Sequence, residues 1–408
     1  MSKLINCKEK NTSCDELKKD IKVNDQNNQS IIGNQEISKF IEENKELYNN
    51  LMLFLEDSEG NDYYFQNLID NLNKQKTEKN HAKFEEFLQL ITSIAHYHYY
   101  ENLFMKIFQI LQYYKNLIML TFSNLEIFNI FQRNKKILLF LFENKIINVD
   151  DQIYRELYLK TETNGNRYYH FFYPEIRIFP GYEKIEEIEE ELTKFDIFNE
   201  KRHKGENDSY ICSLIREDLV EEFISYVNQS NISLNIEVIP SIFETHSFLN
   251  ENFPTLIEYS TFFGSIQIFQ YLRMNNIQLK PSLWLYAIHS RNAEMIHLLE
   301  SLKVQPPGGN YENCFIECMK CHHSEIADYL EDNLIAQDSN VRKNDEVLAS
   351  IMQYHNYAYF PSNFDSGDEF YYLCSCNYKK LVDIFMKKKE KSIKEMISER
   401  IQNDIFYL

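Results

Sequence analysis

Apolar side chains recur at the spacing of a helix over most of the chain. Phe84, Phe87 and Ile91 fall on one face of such a helix. A second and broader stripe comprises Leu103, Phe104, Ile107, Phe108, Ile110, Leu111 and Tyr114. This pattern predicts packed helices over residues 36–160. The polar, weakly periodic residues 1–35 predict a disordered tail.

The helical pattern is interrupted over residues 161–206. This stretch contains NGNRYYHFFYPEIRIFPGYEK, with two prolines and two glycines among many aromatics, and then the acidic run EEIEEE. It predicts an irregular connection followed by a solvated helix. Its aromatic cluster, residues 168–173, is either a partner anchor or a loop folded back onto helices. The rarity of large exposed apolar patches favours the folded-back loop.

Helical periodicity resumes over residues 207–400, where the chain repeats itself. Four stretches that begin at residues 255, 282, 313 and 368 align without a gap: TLIEYSTFFGSIQIFQYL, SLWLYAIHSRNAEMIHLL, NCFIECMKCHHSEIADYL and DEFYYLCSCNYKKLVDIF. Weaker copies lie around residues 215–224 and 125–142. Each copy predicts two short helices joined by a tight turn. One such pair cannot bury its own apolar face, so the pairs are expected to stack.

Particular positions of the repeat carry its structural signal. The third position is bulky in each copy, and it holds Ile257, Trp284, Phe315 and Phe370. The sixth and seventh positions hold a small or apolar pair in each copy. The turn falls at the tenth position, which holds Gly264, Arg291, His322 and Asn377. Glycine suits a left-handed turn there, because it lacks a Cβ atom.

The closest of these copies resembles the ankyrin repeat. The opening T-P-L-H-x-A-A-x-x-G of that repeat is loosely matched by Thr255, Leu256, Ile257, Glu258, Ser260, Thr261 and Gly264. The Pro and His of the motif are absent from this copy, and the copies are unevenly spaced rather than about 33 residues apart. The resemblance therefore implies degenerate repeats whose β-hairpin fingers are shortened or lost.

Over residues 80–390 the chain resembles a large protozoan family of ankyrin-repeat proteins with a helical N-terminal region of unknown function. The resembling stretches include FSNLEIFNIFQRNKKILLFLFENKI and ICSLIREDLVEEFISYVNQSN. The resemblance implies an all-α helical solenoid of degenerate ankyrin-type repeats with a helical N-terminal region. It also implies a non-catalytic scaffold for protein–protein interaction.

Partner-facing residues follow from the ankyrin-type register, which places the eighth and ninth positions toward a partner. These positions are Phe262/Phe263, His289/Ser290, Lys320/Cys321 and Ser375/Cys376. Two adjacent Phe residues are also typical of a buried core, and that alternative stays open for the first pair.

Composition narrows the classes of function. The 408 residues carry a net charge of −19, which argues against a general nucleic-acid surface. The acidic balance predicts an unidentified protein partner with a basic surface, whose binding weakens with salt. No nucleotide-binding, hydrolase or zinc-protease motif is present, and nine glycines leave little for a phosphate loop. We therefore expect no enzyme and no cofactor, although a Cys/His pair distant in sequence stays open.

Localisation follows from the apolar runs and the cysteines. The N-terminus has no leader-like apolar stretch, and the longest unbroken apolar run is residues 137–142. A membrane helix needs about 20 largely apolar residues, so no membrane span is expected. Eight scattered Cys predict free thiols in a reducing compartment, the cytoplasm. A basic run over residues 387–394 leaves the nucleus open, although its interspersed Glu residues favour a solvated helix.

One cluster is a candidate metal site. Cys314, Cys318, Cys321 and His322 combine thiols and an imidazole, which are zinc ligands, and C-x-x-C is a common half-site. The last three residues also match the C-x-x-C-H haem motif. No second Cys/His pair lies near in sequence, and Cys behaves as a small apolar residue in helix cores. Packing without metal is thus the expectation, with a zinc or Cys/His-dependent module as the alternative function.

His96 and His98 form a second candidate pair, on either side of Tyr97. Two imidazoles could ligate a metal, but no carboxylate or Cys cluster accompanies them. Their place between two helical stripes predicts a turn with partly exposed His side chains.

Overall fold

The computed structural model is helical in the part of the chain it describes, which confirms the all-α class. That part comprises residues 30–98, 102–164, 168–182, 184, 186–335, 341–361, 372–376, 378, 381–384 and 386–387. Within these residues the sole β-type pairing is an isolated bridge between Glu237 and Thr255. Contacts divide the chain into two units, residues 50–356 and the described parts of 1–49 and 357–408.

The N-terminal helices follow the predicted apolar stripes. They are α1 Ser30–Leu55, α2 Asp62–Lys74, α3 His81–Tyr97, α4 Leu103–Tyr113, α5 Lys115–Thr121, α6 Asn124–Phe131, α7 Lys135–Glu143 and α8 Asp151–Asn164. Polar side chains fix their starts: Asn134 accepts a hydrogen bond from the Ile137 amide (3.0 Å), and Ser123 forms a capping box with Glu126. Helix α1 begins within the predicted tail, of which residues 1–29 lie outside the described residues.

Residues 161–206 are more regular than predicted. They form the end of α8 and the short helices α9 Tyr168–Phe171, α10 Tyr173–Ile176, α11 Glu186–Glu191 and α12 Phe195–Lys204. The rings of Tyr168, Phe172 and their neighbours are buried, and the Tyr168 hydroxyl donates to the Gln132 carbonyl (3.0 Å). The folded-back interpretation of the aromatic cluster is confirmed. Burial of the rings fixes turns that composition alone marks as irregular.

The predicted repeats form stacked helix pairs. Their helices are α13 Tyr210–Arg216, α14 Val220–Gln229, α15 Ser247–Asn252, α16 Leu256–Phe262, α17 Ile266–Met274, α18 Leu283–Ser290, α19 Ala293–Ser301, α20 Glu312–Cys321, α21 Ser324–Asn333 and α22 Asp345–Gln353. The first helices contact one another in the order α13, α16, α18, α20, α22, and α14 packs on α17. The copy at residue 368 lies mostly outside the described residues.

Burial and backbone angles in three of the four copies agree with the predicted repeat register. Ile257, Trp284 and Phe315 are buried at the third position, as are the pairs at the sixth and seventh positions of the same three copies. The predicted turn residues Gly264, Arg291 and His322 have φ angles of 67°, 50° and 59°. They therefore all adopt the left-handed backbone that the turn requires.

Helix α3 packs against the repeats within the unit of residues 50–356. It contacts α20 and α15, and α6 and α4 lie beside it. Helix α3 thus covers part of the surface of the first helices, at α20 and beside His289 of α18. Apolar residues of α3 that include Phe84, Phe87 and Ile91 are buried, and the Phe84 and Phe87 rings meet the Tyr114 ring that follows α4 (5.4 and 6.3 Å).

The other unit has a small aromatic core of its own. The Tyr357 ring lies 6.4 Å from the Tyr48 ring and 5.1 Å from the Phe360 ring, and Tyr378 lies 5.4 Å from Phe360. All four side chains are buried. Edge-to-face and tilted aromatic pairs of this kind stabilise a core beyond the area they bury.

None of the described helices is both long enough and apolar enough to cross a membrane. Of the basic run at residues 387–394, only Lys387 is described, and its side chain is exposed. The remainder of that run lies outside the described residues.

Candidate functional site

The candidate cysteines share one buried face of α20. Cys314, Cys318 and Cys321 are each fully buried at helical spacing. Burial raises the pKa of Cys314 to about 12 and raises the pKa values of the other two thiols well above the ordinary value. Cys314 and Cys318 belong to no metal-type cluster among the described residues. The packing interpretation therefore fits these two thiols.

Cys321 instead meets two residues that the sequence cluster did not include. His289 on α18, Glu317 and Cys321 on α20 place their ligand atoms within 4.8 Å of one another, and all three are buried. The His289 Nε2 atom donates to Glu317 Oε1 (2.9 Å), and Lys320 Nζ donates to Glu317 Oε2 (2.8 Å). Burial alone would raise the pKa of Glu317, but His289 and Lys320 hold it below its ordinary value.

The Cys321 sulfur lies almost equally far from the two ring nitrogens of His289. Cys321 Sγ lies 3.4 Å from Nδ1 and 3.5 Å from Nε2 of His289. A zinc ion on Nε2 would lie about 2 Å away in the ring plane, on the side opposite Nδ1. A sulfur bound to that ion would be clearly farther from Nδ1 than from Nε2. The near-equal distances do not fit a sulfur that shares one ion with either nitrogen, so the group lacks the geometry of a formed metal centre.

The same three residues have the composition of a nucleophile, a base and an orienting carboxylate. A catalytic thiol needs access to substrate and a lowered pKa. Cys321 has neither, since it is fully buried and its pKa is raised. The geometry therefore does not favour catalysis at this cluster.

Further histidines lie close to the cluster of His289, Glu317 and Cys321. His98, His289, His322 and His323 are buried, and the rings of His98 and His323 lie 5.0 Å apart. Their protons are held by main-chain carbonyls: His98 Nδ1 donates to Cys321 O (2.8 Å), and His323 Nδ1 donates to Ile288 O (2.9 Å). We name this group, with the partly buried His96, His246 and His355, the histidine core.

Burial keeps most of the histidine core neutral. It lowers the pKa values of His96, His98 and His355 to about 4. It also places those of His322 and His323 well below the ordinary value. Desolvation penalises the imidazolium form, and neighbouring cations, Arg291 among them, add to the effect. The predicted turn with partly exposed rings is thus wrong for His98, whose side chain is buried at the end of α3.

The residues predicted to face a partner are largely covered. Phe262 and His289 are fully buried, and Cys321 lies beneath the same surface. Phe263, Ser290 and Lys320 are partly exposed, and the Lys320 ammonium is held by Glu317. Farther along the chain, Ser375 is exposed and Cys376 is partly exposed. Direct contact between a partner and Phe262 or His289 does not fit this burial.

The cover comes from the N-terminal helices and from α15. Phe248 of α15 lies 4.0 Å from the His289 ring and 6.2 Å from the Phe262 ring, and Tyr97 of α3 lies 6.4 Å from His289. The repeat register alone does not predict that α3 and α15 cover these residues, because contacts so distant in sequence leave no periodic signal. For the same reason, sequence reasoning missed the contacts that Glu317 and His246 make with His289.

No known relative explains this arrangement. No family model, no curated protein and no solved structure matches the chain. Functional inference therefore rests on the geometry of this molecule.

Proposed function

We propose that the chain is a non-catalytic scaffold for protein–protein interaction, built on degenerate ankyrin-type helix pairs. The observation that carries the proposal is the stack of first helices from α13 to α22, each contacting the next in one register. Such a stack presents side chains at fixed positions, which lowers the ordering cost of binding a partner. The net charge of −19 favours a partner with a basic surface.

The burial of two predicted partner-facing residues restricts where a partner can bind. Because Phe262 and His289 are buried beneath α15 and α3, the scaffold binds its partner through side chains other than these two. The N-terminal helices are thus part of the scaffold and present surfaces of their own.

A competing function is metal binding at His289, Glu317 and Cys321. The observation in its favour is that three types of ligand atom lie within 4.8 Å. Metal binding requires the His289 ring or the Cys321 side chain to rotate, because the sulfur is now almost equally far from both ring nitrogens.

The scaffold proposal is tested by quantitative capture with the full chain as bait. We expect a partner that binds saturably at fixed stoichiometry and is released as salt is raised, since exposed charge pairs are screened within about 10 Å at 0.1 M salt. The absence of any saturable partner, or binding that is indifferent to salt, would contradict the proposal.

A further inference from the structure

A groove lies between the end of α1, the loop at residues 56–61 and helix α4. Its volume is about 530 Å³. Its lining includes Phe54, Asp57, Asp62, Phe65, Met105 and Lys106. All of them belong to the unit of residues 50–356.

Aromatic and Met side chains form the apolar part of the groove. The rings of Phe54 and Phe65 lie 5.2 Å apart, and Phe65 meets the Tyr113 ring at 5.6 Å. Met105 is 71% exposed and Tyr63, beside the groove in sequence, is 63% exposed. Apolar exposure concentrated in a concave site is typical of an interaction surface.

The loop that borders the groove is held in place before any partner binds. Asp57 accepts hydrogen bonds from the main-chain amides of Glu59 (3.2 Å) and Asn61 (2.7 Å). Gly60 supplies the left-handed turn between them, with φ of 70°. A border organised in this way reduces the ordering cost of binding.

The charges at the groove are predominantly negative. Lys106, the one cation in the lining, is neutralised by Asp57 (Nζ to Oδ2, 3.0 Å) and lies over the Phe54 ring at 4.8 Å. Asp62 in the lining and Glu59 in the bordering loop are exposed carboxylates. An incoming segment therefore meets uncompensated negative charge beside an apolar floor.

We propose that this groove binds a basic, apolar segment of the partner protein. An apolar side chain of that segment enters beside Phe65 and Met105, and its Lys or Arg side chains approach Asp62. The amides of Asn102, Gln109 and Gln112 are placed to hydrogen-bond its main chain. The inference rests on the proposed scaffold function and names the chemistry of the partner.

Short synthetic peptides test the groove directly. A labelled peptide that alternates Lys with Leu and Phe is compared with its Glu/Leu/Phe and Lys/Ser counterparts by fluorescence anisotropy on the full chain. We expect saturable binding of the first peptide only, weakening with salt. Methyl resonances of Met105 are expected to shift on binding while those of Met274 do not. Equal binding of the acidic peptide, or shifts at Met274 alone, would overturn the proposal.

Two matched pairs of variants locate the binding. Met105→Glu is expected to weaken peptide binding at least about tenfold, whereas Met274→Glu, at an equally exposed position (70%), is expected to leave it unchanged. Asp62→Lys is expected to weaken binding severalfold, and Glu294→Lys, another exposed acidic residue in a first helical turn, is the control. Equal effects within either pair would overturn the proposal.

The experiments distinguish failure of the groove proposal from failure of the scaffold function. If Met105→Glu leaves capture of a protein partner intact while no peptide binds, the scaffold function stands and the groove assignment is wrong. Self-association that Met105→Glu abolishes would assign the groove to a second copy of the chain and would also overturn it.

Discussion

The turn residues of the helix pairs adopt a left-handed backbone even where they are not glycine. Gly264 does so without strain, whereas a non-glycine residue such as Arg291 or His322 pays about 1–2 kcal/mol. Arg291 offsets part of this cost through its ion pair with Glu56 (2.9 Å), and His322 is buried. The scarcity of turn glycines in the sequence is therefore compatible with intact helix pairs.

Replacing Gly264 with Ala is expected to lower the free energy of unfolding by about 1–3 kcal/mol. The backbone there has φ of 67°, and a Cβ atom would lie 2.7 Å from Nδ2 of Asn292 in the next repeat. Denaturant unfolding followed by circular dichroism measures the change.

Lys303→Gly is the matched control, because Lys303 also has a left-handed backbone (φ 55°) and its side chain is exposed. Glycine is expected to be neutral there or to stabilise by up to about 1 kcal/mol. A loss of stability in Lys303→Gly as large as that in Gly264→Ala would contradict the backbone argument.

Helix α3 packs on the surface of the repeats that the ankyrin register assigns to a partner. It lies against α20 and α15, and at its end His98 donates to the Cys321 carbonyl at 2.8 Å. Periodicity predicts α3 and its buried face, and it predicts the register of the helix pairs. It does not predict that these faces meet. Of the Cys321, His289 and Glu317 cluster, the sequence indicated only Cys321 as a metal-ligand candidate. His289 is far from α20 in the chain, and Glu317 on α20 is not part of a Cys/His motif.

His98→Ala is expected to expose Cys321 more often by loosening the end of α3. The substitution removes a buried ring and its hydrogen bond, so local opening becomes more frequent. Labelling of Cys321 in the native protein, followed by mass spectrometry, is expected to accelerate at least about tenfold.

His81→Ala, at the exposed start of the same helix, serves as the control and is expected to leave labelling of Cys321 unchanged. Equal labelling rates in His98→Ala and the unmodified chain would mean that α3 does not cover the thiol.

At the scale of the whole molecule, the histidine core joins the N-terminal helices to the repeats. His98 comes from α3, His289 from α18, and His322 and His323 from the end of α20. The charged groups facing it are the carboxylates of Glu56 and Glu317 and the cations Arg291 and Arg133. Lys320 and Glu251 lie near Glu317. Burial thus keeps the rings of His98, His322 and His323 neutral, because it lowers their pKa values, and protonation of these rings destabilises the fold.

Acid is therefore expected to unfold residues 50–356 cooperatively. The folded pKa values of His98 and His355 are about 4, below the unfolded value of about 6.5. The unfolded chain binds protons first, so stability is fully present above about pH 6.5 and is lost as pH falls toward 4. Thermal unfolding from pH 8 to pH 4 measures this dependence.

Replacing His322, a buried residue of the histidine core, tests whether these histidines cause the loss of stability in acid. His322→Asn keeps a residue that tolerates the left-handed backbone but cannot titrate. The substitution is expected to reduce the slope of the unfolding free energy against pH by the equivalent of about one bound proton. His297→Asn, which replaces an exposed ring, is the control. The same slope in His322→Asn and the unmodified chain would place the titrating groups elsewhere.

The most direct test is the metal content of the purified native chain, measured with its reactive thiols. In the proposed interaction scaffold, Cys321, His289 and Glu317 are buried in a packed core. This account predicts no stoichiometric metal. It also predicts that the buried Cys212, Cys314, Cys318 and Cys321 react far more slowly than the exposed Cys374 in the native protein and become fully reactive on denaturation. About one zinc per chain, lost together with helicity on chelation, would contradict it, because metal would then be coupled to folding.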